Sequence, residues 1–374
     1  MGADARGPLS LFLIARAPPA LKSNQQSNCQ GNGQLREGLV RGEERLKIRH
    51  LISVDAKAAR RQSRHQPFRF RLSLYTHAVM IHSLSRETLG LIIGTIGVVI
   101  FGVTLPMTRI AVVALDPWFV ASGRAVLAGL VAILVLWALR RPWPKKSEWK
   151  PLVIGAFFTI IGFPVFTGFA MQMVPASHGG VVLGILPLVV ALFGALASGD
   201  RPSFGFWISA LVGAALVIGF SLRDEAGSLG LGDLFLFGAV LSAAIGYTAF
   251  TQLSRTRAGW ETVSWAVVVG LPVTLPVAWW TAPVEPFSVA LPYWGAFLYL
   301  GLMSQYIGFF FWNTGLAMGG QARVSQAQLP QAFVTLAVAA LMNGETVDLW
   351  TWAFAVAVVA TVLIGRRTKI NRGH

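Results

Sequence analysis

Ser177-His178-Gly179-Gly180-Val181-Val182-Leu183-Gly184-Ile185-Leu186-Pro187-Leu188-Val189-Val190-Ala191-Leu192-Phe193-Gly194-Ala195-Leu196-Ala197-Ser198 runs for 22 residues without an Asp, Glu, Lys or Arg. A bilayer's hydrocarbon core of roughly 30 Å is crossed by about 20 apolar residues wound as a helix. No water reaches the backbone there, so amides and carbonyls must pair within the segment. The stretch therefore predicts a transmembrane helix. Nine more stretches read the same way, at about 88–109, 117–139, 151–172, 204–221, 231–252, 262–281, 291–313, 322–342 and 348–365. Short loops join them. The fold class expected is all-α: a polytopic membrane protein with ten transmembrane helices.

Composition agrees. Hydrophobic residues make up 54% of the 374 and charged residues 13%, against about a quarter charged in soluble domains. The net charge of +15 is concentrated in residues 1–79 and at span ends. That distribution argues against nucleic acid as a partner and for contact with membrane lipids. Residues 1–79 are polar and basic, as in Lys57-Ala58-Ala59-Arg60-Arg61-Gln62-Ser63-Arg64, and lack apolar periodicity. Such a segment buries too little apolar surface to offset ordering, so disorder is expected. Met80 could serve as an alternative start. The single cysteine, Cys29, excludes an intramolecular disulfide and thiolate metal clusters.

The loops alternate in charge. One set carries Arg140, Arg141, Lys145, Lys146, Lys150, Arg201, Arg255, Arg257 and Arg323, and the C-terminal end adds Arg366, Arg367, Lys369 and Arg372. The other holds Asp116, Asp224, Glu225, Asp233, Glu285, Glu345 and Asp348, with Arg109 and Arg223 as its cations. By the positive-inside rule both termini are expected in the cytoplasm.

The two halves resemble each other. Gly199-Asp200-Arg201 closes the fourth span and Gly344-Glu345-Thr346 the ninth, 145 positions later. Trp207 and Trp352 share that offset. Phe101-Gly102-Val103-Thr104 and Ile245-Gly246-Tyr247-Thr248 stand 144 apart. The expected division is a tail at 1–79 and two five-helix repeats at 88–221 and 231–366. A repeat with an odd number of spans enters the membrane from the opposite face the second time. The halves are thus read as inverted copies, an arrangement that in secondary carriers places the substrate near the midplane.

The chain resembles the EamA-type ten-span transporters of the drug/metabolite transporter superfamily. The resemblance rests on twin blocks: Ala176-Ser177-His178 through Leu186-Pro187-Leu188 to Gly199-Asp200-Arg201-Pro202, and Ala322-Arg323-Val324-Ser325-Gln326 through Gln331-Ala332-Phe333 to Gly344-Glu345. It covers about Gly90 to Gly365. It implies a permease or exporter of small metabolites, often amino acids or related compounds, in a bacterial inner membrane. The chain departs from the family pattern at Asp200, where Glu is common, and at Ala332, where Pro is usual.

Polar groups inside spans are the candidates for substrate binding, because lipid makes them costly. Arg124 in the second span either contacts an anionic group or snorkels toward the outer end. Gln328 and Gln331 share a helical face and either bind cargo or bond neighbouring helices. Pro187 and Pro330 interrupt helix ladders at near-equivalent places in the two halves. Tyr247, Gln305 and Tyr306 offer hydroxyl and amide surface. Gln326 shares the ninth span, and Arg109 reads as an outer-interface anchor. His178 stands alone at the outer end of the fourth span. Gly90 and Gly94, Gly180 and Gly184, and Gly315 and Gly319 are spaced for close helix packing.

No carboxylate falls near the middle of a span. No zinc-protease helix, nucleophile elbow or phosphate-binding loop is present in the sequence. Catalytic residues, metal ligands and cofactors are therefore not expected, and ATP is not the expected motor. The function expected is secondary transport by alternating access, with a small-molecule substrate; the alternative is a non-transporting structural or sensory membrane protein. Substrate, direction, coupling ion and oligomeric state are not encoded legibly.

Overall fold

The structure, a computed structural model, describes residues 86–198, 201–224, 229–253, 256–319, 328–367 and 370–371. The tail at 1–79 and Gln326 lie outside the described residues. Those described fold as ten helical passes. Eight are long and apolar enough to cross a membrane: Arg86–Ala111, Pro117–Ala138, Lys146–Met173, Ala176–Ala197, Phe204–Arg223, Leu231–Leu253, Gly259–Trp280 and Leu291–Leu316. The ninth and tenth, Gln331–Asn343 and Leu349–Arg367, are shorter apolar helices. A two-residue antiparallel bridge pairs Arg201–Pro202 with Ile370–Asn371. It joins the loop between the fourth and fifth spans to the C-terminal end.

The packing obeys an exchange rule. The first span packs on the eighth, and its counterpart the sixth packs on the third. The sixth also packs on the fourth, as the first packs on the ninth. The second packs on the seventh, the fourth on the ninth, and the fifth on the tenth. Swapping spans one to five with six to ten leaves this pattern unchanged. That is what two inverted five-helix repeats about a pseudo-two-fold axis produce, and it agrees with the duplication legible in the sequence.

Small residues let the paired spans approach. A Cβ placed on Gly315 would lie 2.6 Å from the Gly94 backbone and 2.7 Å from the Gly90 carbonyl oxygen. The eighth span thus presses backbone to backbone against the first. A Cβ on Gly246 would fall within 1.9 Å of the Thr159 hydroxyl. The missing side chain is what admits the third span against the sixth. Large apolar side chains such as Leu130, Leu134, Leu211, Leu241 and Leu275 are exposed on the outer surface. In water so many would be a liability; against lipid tails they are the matching surface. Trp279 and Trp280 close the seventh span in the manner of an interfacial belt.

Several spans are not the continuous helices expected. The first is interrupted at Val103. The fourth divides into Ala176–Leu183 and Leu186–Ser198. Its turn at Gly184–Ile185 recurs 145 positions later as the turn at Leu329–Pro330, ahead of Gln331–Asn343. The third and eighth spans carry π-helical segments, Ala156–Gly162 and Tyr299–Ile307. Their last residues, Gly162 and Ile307, are also 145 apart. The fourth- and ninth-span turns and the π segments therefore belong to the repeat, whereas the interruption at Val103 has no counterpart in the unbroken sixth span, Leu231–Leu253.

Candidate functional site

The irregular segments meet. A cavity of about 70 Å³ lies among the break of the first span, the second span, both π segments, the breaks of the fourth and ninth spans, and the sixth span. In this conformation it has room for several waters. Its walls differ. On the fourth span the break contributes Leu183, Leu186 and Pro187. The corresponding positions on the ninth contribute Gln328, Gln331 and Ala332. The same backbone device thus presents an apolar face from one repeat and an amide face from the other.

Among the described lining residues the cation is Arg124. It does not reach a bundle end, as snorkelling would require: the residue is 2% exposed. Its Nη2 donates to Ser304 Oγ at 2.9 Å, across the bundle. Ser304 also shares a 2.8 Å hydrogen bond with the Thr104 hydroxyl. Arg124 Nε and Nη1, Gln305 Nε2 and Thr159 Oγ1 are buried without a hydrogen-bond partner. All three residues line the cavity. Thr335 closes another edge, donating to the Gly102 carbonyl at 2.8 Å, next to the interruption at Val103. Tyr247 lines the cavity with its ring edge-on to Phe309, centroids 6.3 Å apart.

Of the residues singled out from sequence, the structure brings Arg124, Pro187, Tyr247, Gln305, Gln328 and Gln331 together at this cavity. Tyr306 and Pro330 are not among the lining residues. Tyr306 is 3% exposed, packs in a second apolar cluster with Trp265 and Leu152, and bonds the Ser264 hydroxyl at 2.9 Å. Pro330 is exposed and serves as the residue preceding the ninth helix, where its missing N–H costs nothing. Pro187 likewise sits in the first turn of its helix piece, so the helix breaks ahead of it rather than kinking through it. The hydroxyls of Thr159, Ser304 and Thr335 were not singled out. Thr159 and Ser304 stand 145 apart, a correspondence that could have drawn attention to them.

The two ends of the bundle differ. At one end Glu345, on the loop leaving the ninth span, accepts from Ala176 N (2.8 Å), Ser177 N (2.8 Å) and the Ser177 hydroxyl (2.7 Å). Arg109 lies 3.5 Å from the same carboxylate and donates to the Met171 and Val174 carbonyls. Gly344 allows this by taking φ +67°, a left-handed cap that reverses the chain just before Glu345. Burial works against ionisation of Glu345, but the donors from Ser177, Ala176 and Asn343 outweigh it and hold its carboxyl below the usual range. Two further pairs join the repeats here. Asp348 is bonded by Arg223, which with Thr351 holds its carboxyl well below the usual range. His178, expected to stand alone, meets Asp233 at 2.8 Å with both side chains buried. At the opposite end Arg257 is bonded to Glu148 (3.0 Å) and to Glu261, and donates to the Trp143 carbonyl.

The EamA-like transporter family model matches residues 88–222 and again 230–365. The chain belongs to that family. It is similar to the uncharacterized transporter YdeK of Bacillus subtilis, at 39% identity over 76% of this chain and 99% of that protein. It is more distantly similar to the aromatic amino acid exporter YddG of Ancylobacter novellus, at 25% identity over 54% of this chain and 68% of that one. One solved crystal structure shares the fold, with TM-score 0.52 at 18% identity over 74% of this chain and 95% of that chain. This EamA-family chain is accordingly a multi-pass membrane transporter, and the matched stretches fall on the two five-helix repeats.

Proposed function

We propose that the chain is a secondary carrier of small metabolites, such as amino acids or related compounds. It works by alternating access between its inverted repeats in a bacterial inner membrane, with both termini cytoplasmic. The observation that carries this reading is the shared cavity at the paired helix breaks. Breaks and π segments are the places where a helix can bend at little cost. Here they surround one pocket of mixed polar and apolar lining from both repeats.

Inverted repeats give an outward-open and an inward-open state of comparable energy. The charge alternation of the loops supports the Glu345 end as the outer one. Two ion pairs between the repeats, Arg109–Glu345 and Arg223–Asp348, and the buried His178–Asp233 hydrogen bond hold that end together. The fourth span supports closure at the same end. Its first piece, from Ala176 through Val182, is buried throughout, while Leu196 and Ala197 at the end of the second are exposed. A groove lined by Lys150, Ile154, Leu196, Ile245 and Gln252 lies on the Arg257 side. This conformation corresponds to an outside-closed carrier. The partners of the chain in this reading are a small-molecule substrate and the surrounding lipids, not nucleic acid.

The test is flux. Purified full-length chain in proteoliposomes is expected to exchange at least one member of a metabolite panel above protein-free vesicles. With Cys29 replaced by Ser, single cysteines at 187, 247 and 328 are expected to react with membrane-impermeant thiol reagents from either side, depending on substrate. Labelling from one side under every condition, together with no flux, overturns the carrier reading.

A further inference from the structure

The unpartnered donors on the residues that line the cavity describe the substrate's chemistry. Arg124, Gln305 and Thr159 are each 2–4% exposed. Arg124 Nε and Nη1, Gln305 Nε2 and Thr159 Oγ1 face no protein acceptor. Three of these atoms are nitrogen donors and the fourth is a hydroxyl. An unmatched set of donors beside a buried guanidinium calls for an acceptor bearing negative charge. Among the described lining residues none is Asp or Glu, so nothing there offers an ion-pair partner to an ammonium group.

Leu183, Leu186 and Phe163 add apolar surface to the same cavity. A ligand that satisfies both kinds of surface carries an anionic head and a hydrocarbon body. One guanidinium balances one negative charge; a second charge would be buried without a partner, which is strongly disfavoured.

Resting on the carrier reading above, we infer that the site takes organic monocarboxylates with an apolar body, and that an α-amino group is not required for their recognition. The carboxylate lies against Arg124, Gln305 and Thr159, and the hydrocarbon lies against the fourth-span break. Arg124 then has a further role. It ties the site to the second repeat as well as the first, because its remaining nitrogen donates to Ser304 in the eighth span.

The test compares matched ligands on the purified full-length chain: 4-methylpentanoate, leucine, 4-methylpentylamine and 4-methylpentanamide, and the corresponding phenylpropyl series. Thermal shift reads binding, and counterflow in proteoliposomes reads transport. The two acids are expected to bind at least as tightly as the amino acids, and the amines and amides at least about tenfold more weakly. Arg124→Gln is expected to erase the preference for acid over amide. Gln305→Glu, which places a carboxylate in the pocket while leaving Arg124 in place, is expected to weaken the acids at least about tenfold and the amines little. If either variant fails to fold, the other and the wild-type ligand ranking still decide. Amines or amides binding as well as acids, amino acids binding when their deaminated counterparts do not, or an unchanged ranking in Arg124→Gln each overturn the inference. In those outcomes flux persists and the carrier reading stands; absence of binding and flux across both series and a broad metabolite panel removes both.

Discussion

Glu345 accepts both the backbone amide and the hydroxyl of Ser177, the second residue of the fourth span's first piece. A carboxylate from the second repeat thereby occupies the helix N-terminus of the first, where the backbone dipole favours negative charge. In an alternating-access carrier such a contact must break when that end opens. Glu345→Gln is expected to lower stability by about 1.5–3 kcal/mol, the range for hydrogen bonds to a charged group. It is also expected to raise labelling of a cysteine at position 177 from the outside. Melting in detergent and thiol-labelling rates, in a Cys29→Ser background, measure the two effects. Unchanged values in both would remove the contact from the closed state's energetics.

The same carboxylate sets a pH dependence. Glu345 and Asp348 are both held below the usual carboxylate range. A group whose folded value is depressed contributes stability that is present above its unfolded value, about 4 for these side chains, and is lost as pH falls through the folded value. Melting temperature is therefore expected to hold from neutrality down to about pH 5 on account of these groups, then to fall below about pH 4. In Glu345→Gln the acid limb is expected to be shallower than in wild type. A limb of equal steepness would place the acid sensitivity elsewhere.

Two tyrosines that look alike in sequence have separate roles. Tyr247 lines the cavity, whereas Tyr306 bonds Ser264 inside an apolar cluster. Ser264 keeps a second bond to the Trp260 carbonyl at 2.8 Å. Tyr306→Phe is thus expected to cost about 1 kcal/mol of stability and leave apparent substrate affinity unchanged. Tyr247→Phe is expected to do the reverse, weakening affinity about two- to tenfold with little change in melting. Paired transport and melting measurements separate them; a swap of the two phenotypes would contradict this geometry.

Close packing of the first and eighth spans gives a sharper steric expectation. A Cβ added at Gly315 collides with the Gly94 and Gly90 backbone, which cannot rotate aside as a side chain could. Gly315→Ala is expected to destabilise by about 1–3 kcal/mol or more, as overpacking does. Gly295 has nothing within 4 Å of an added Cβ, so Gly295→Ala should be neutral or slightly stabilising in its helix. Folded yield and melting of the two variants provide the comparison.

The passes and their duplication were legible because lipid imposes a coarse rule on every residue of a span. The Gly90, Gly94 and Gly315 spacings likewise carried the helix contact that the structure contains. Backbone irregularity was less legible. Pro187 and Pro330 point to the breaks, yet the turns fall at Gly184–Ile185 and Leu329–Pro330, because proline is tolerated at a helix start and not within it. Nothing in Ala156–Gly162 or Tyr299–Ile307 marks a π segment by composition; a widened turn depends on which neighbours fill the space. Arg124 illustrates the same limit. Its position allowed snorkelling, and its partner Ser304, 180 residues away, decided otherwise. His178 and Asp233 read as separate edge residues until the packing of the fourth span on the sixth placed them 2.8 Å apart.

At the end opposite Glu345, one cation serves two acids. Arg257 bonds Glu148, which begins the third span, and Glu261, which begins the seventh. Both glutamates are nearly inaccessible, 5% and 6% exposed. Removing the arginine leaves two buried negative charges with no cation between them, and breaking a buried pair costs about 3–5 kcal/mol. Arg257→Ala is expected to lose that much, with reduced folded yield. The triple variant Arg257→Ala, Glu148→Gln, Glu261→Gln is expected to recover most of the loss, because the glutamine amides carry no charge to strand. That recovery is a non-additivity, and a mutant cycle measures it directly. If the single and triple variants melt together, the arginine acts through packing rather than charge, and the network does not hold this end of the carrier.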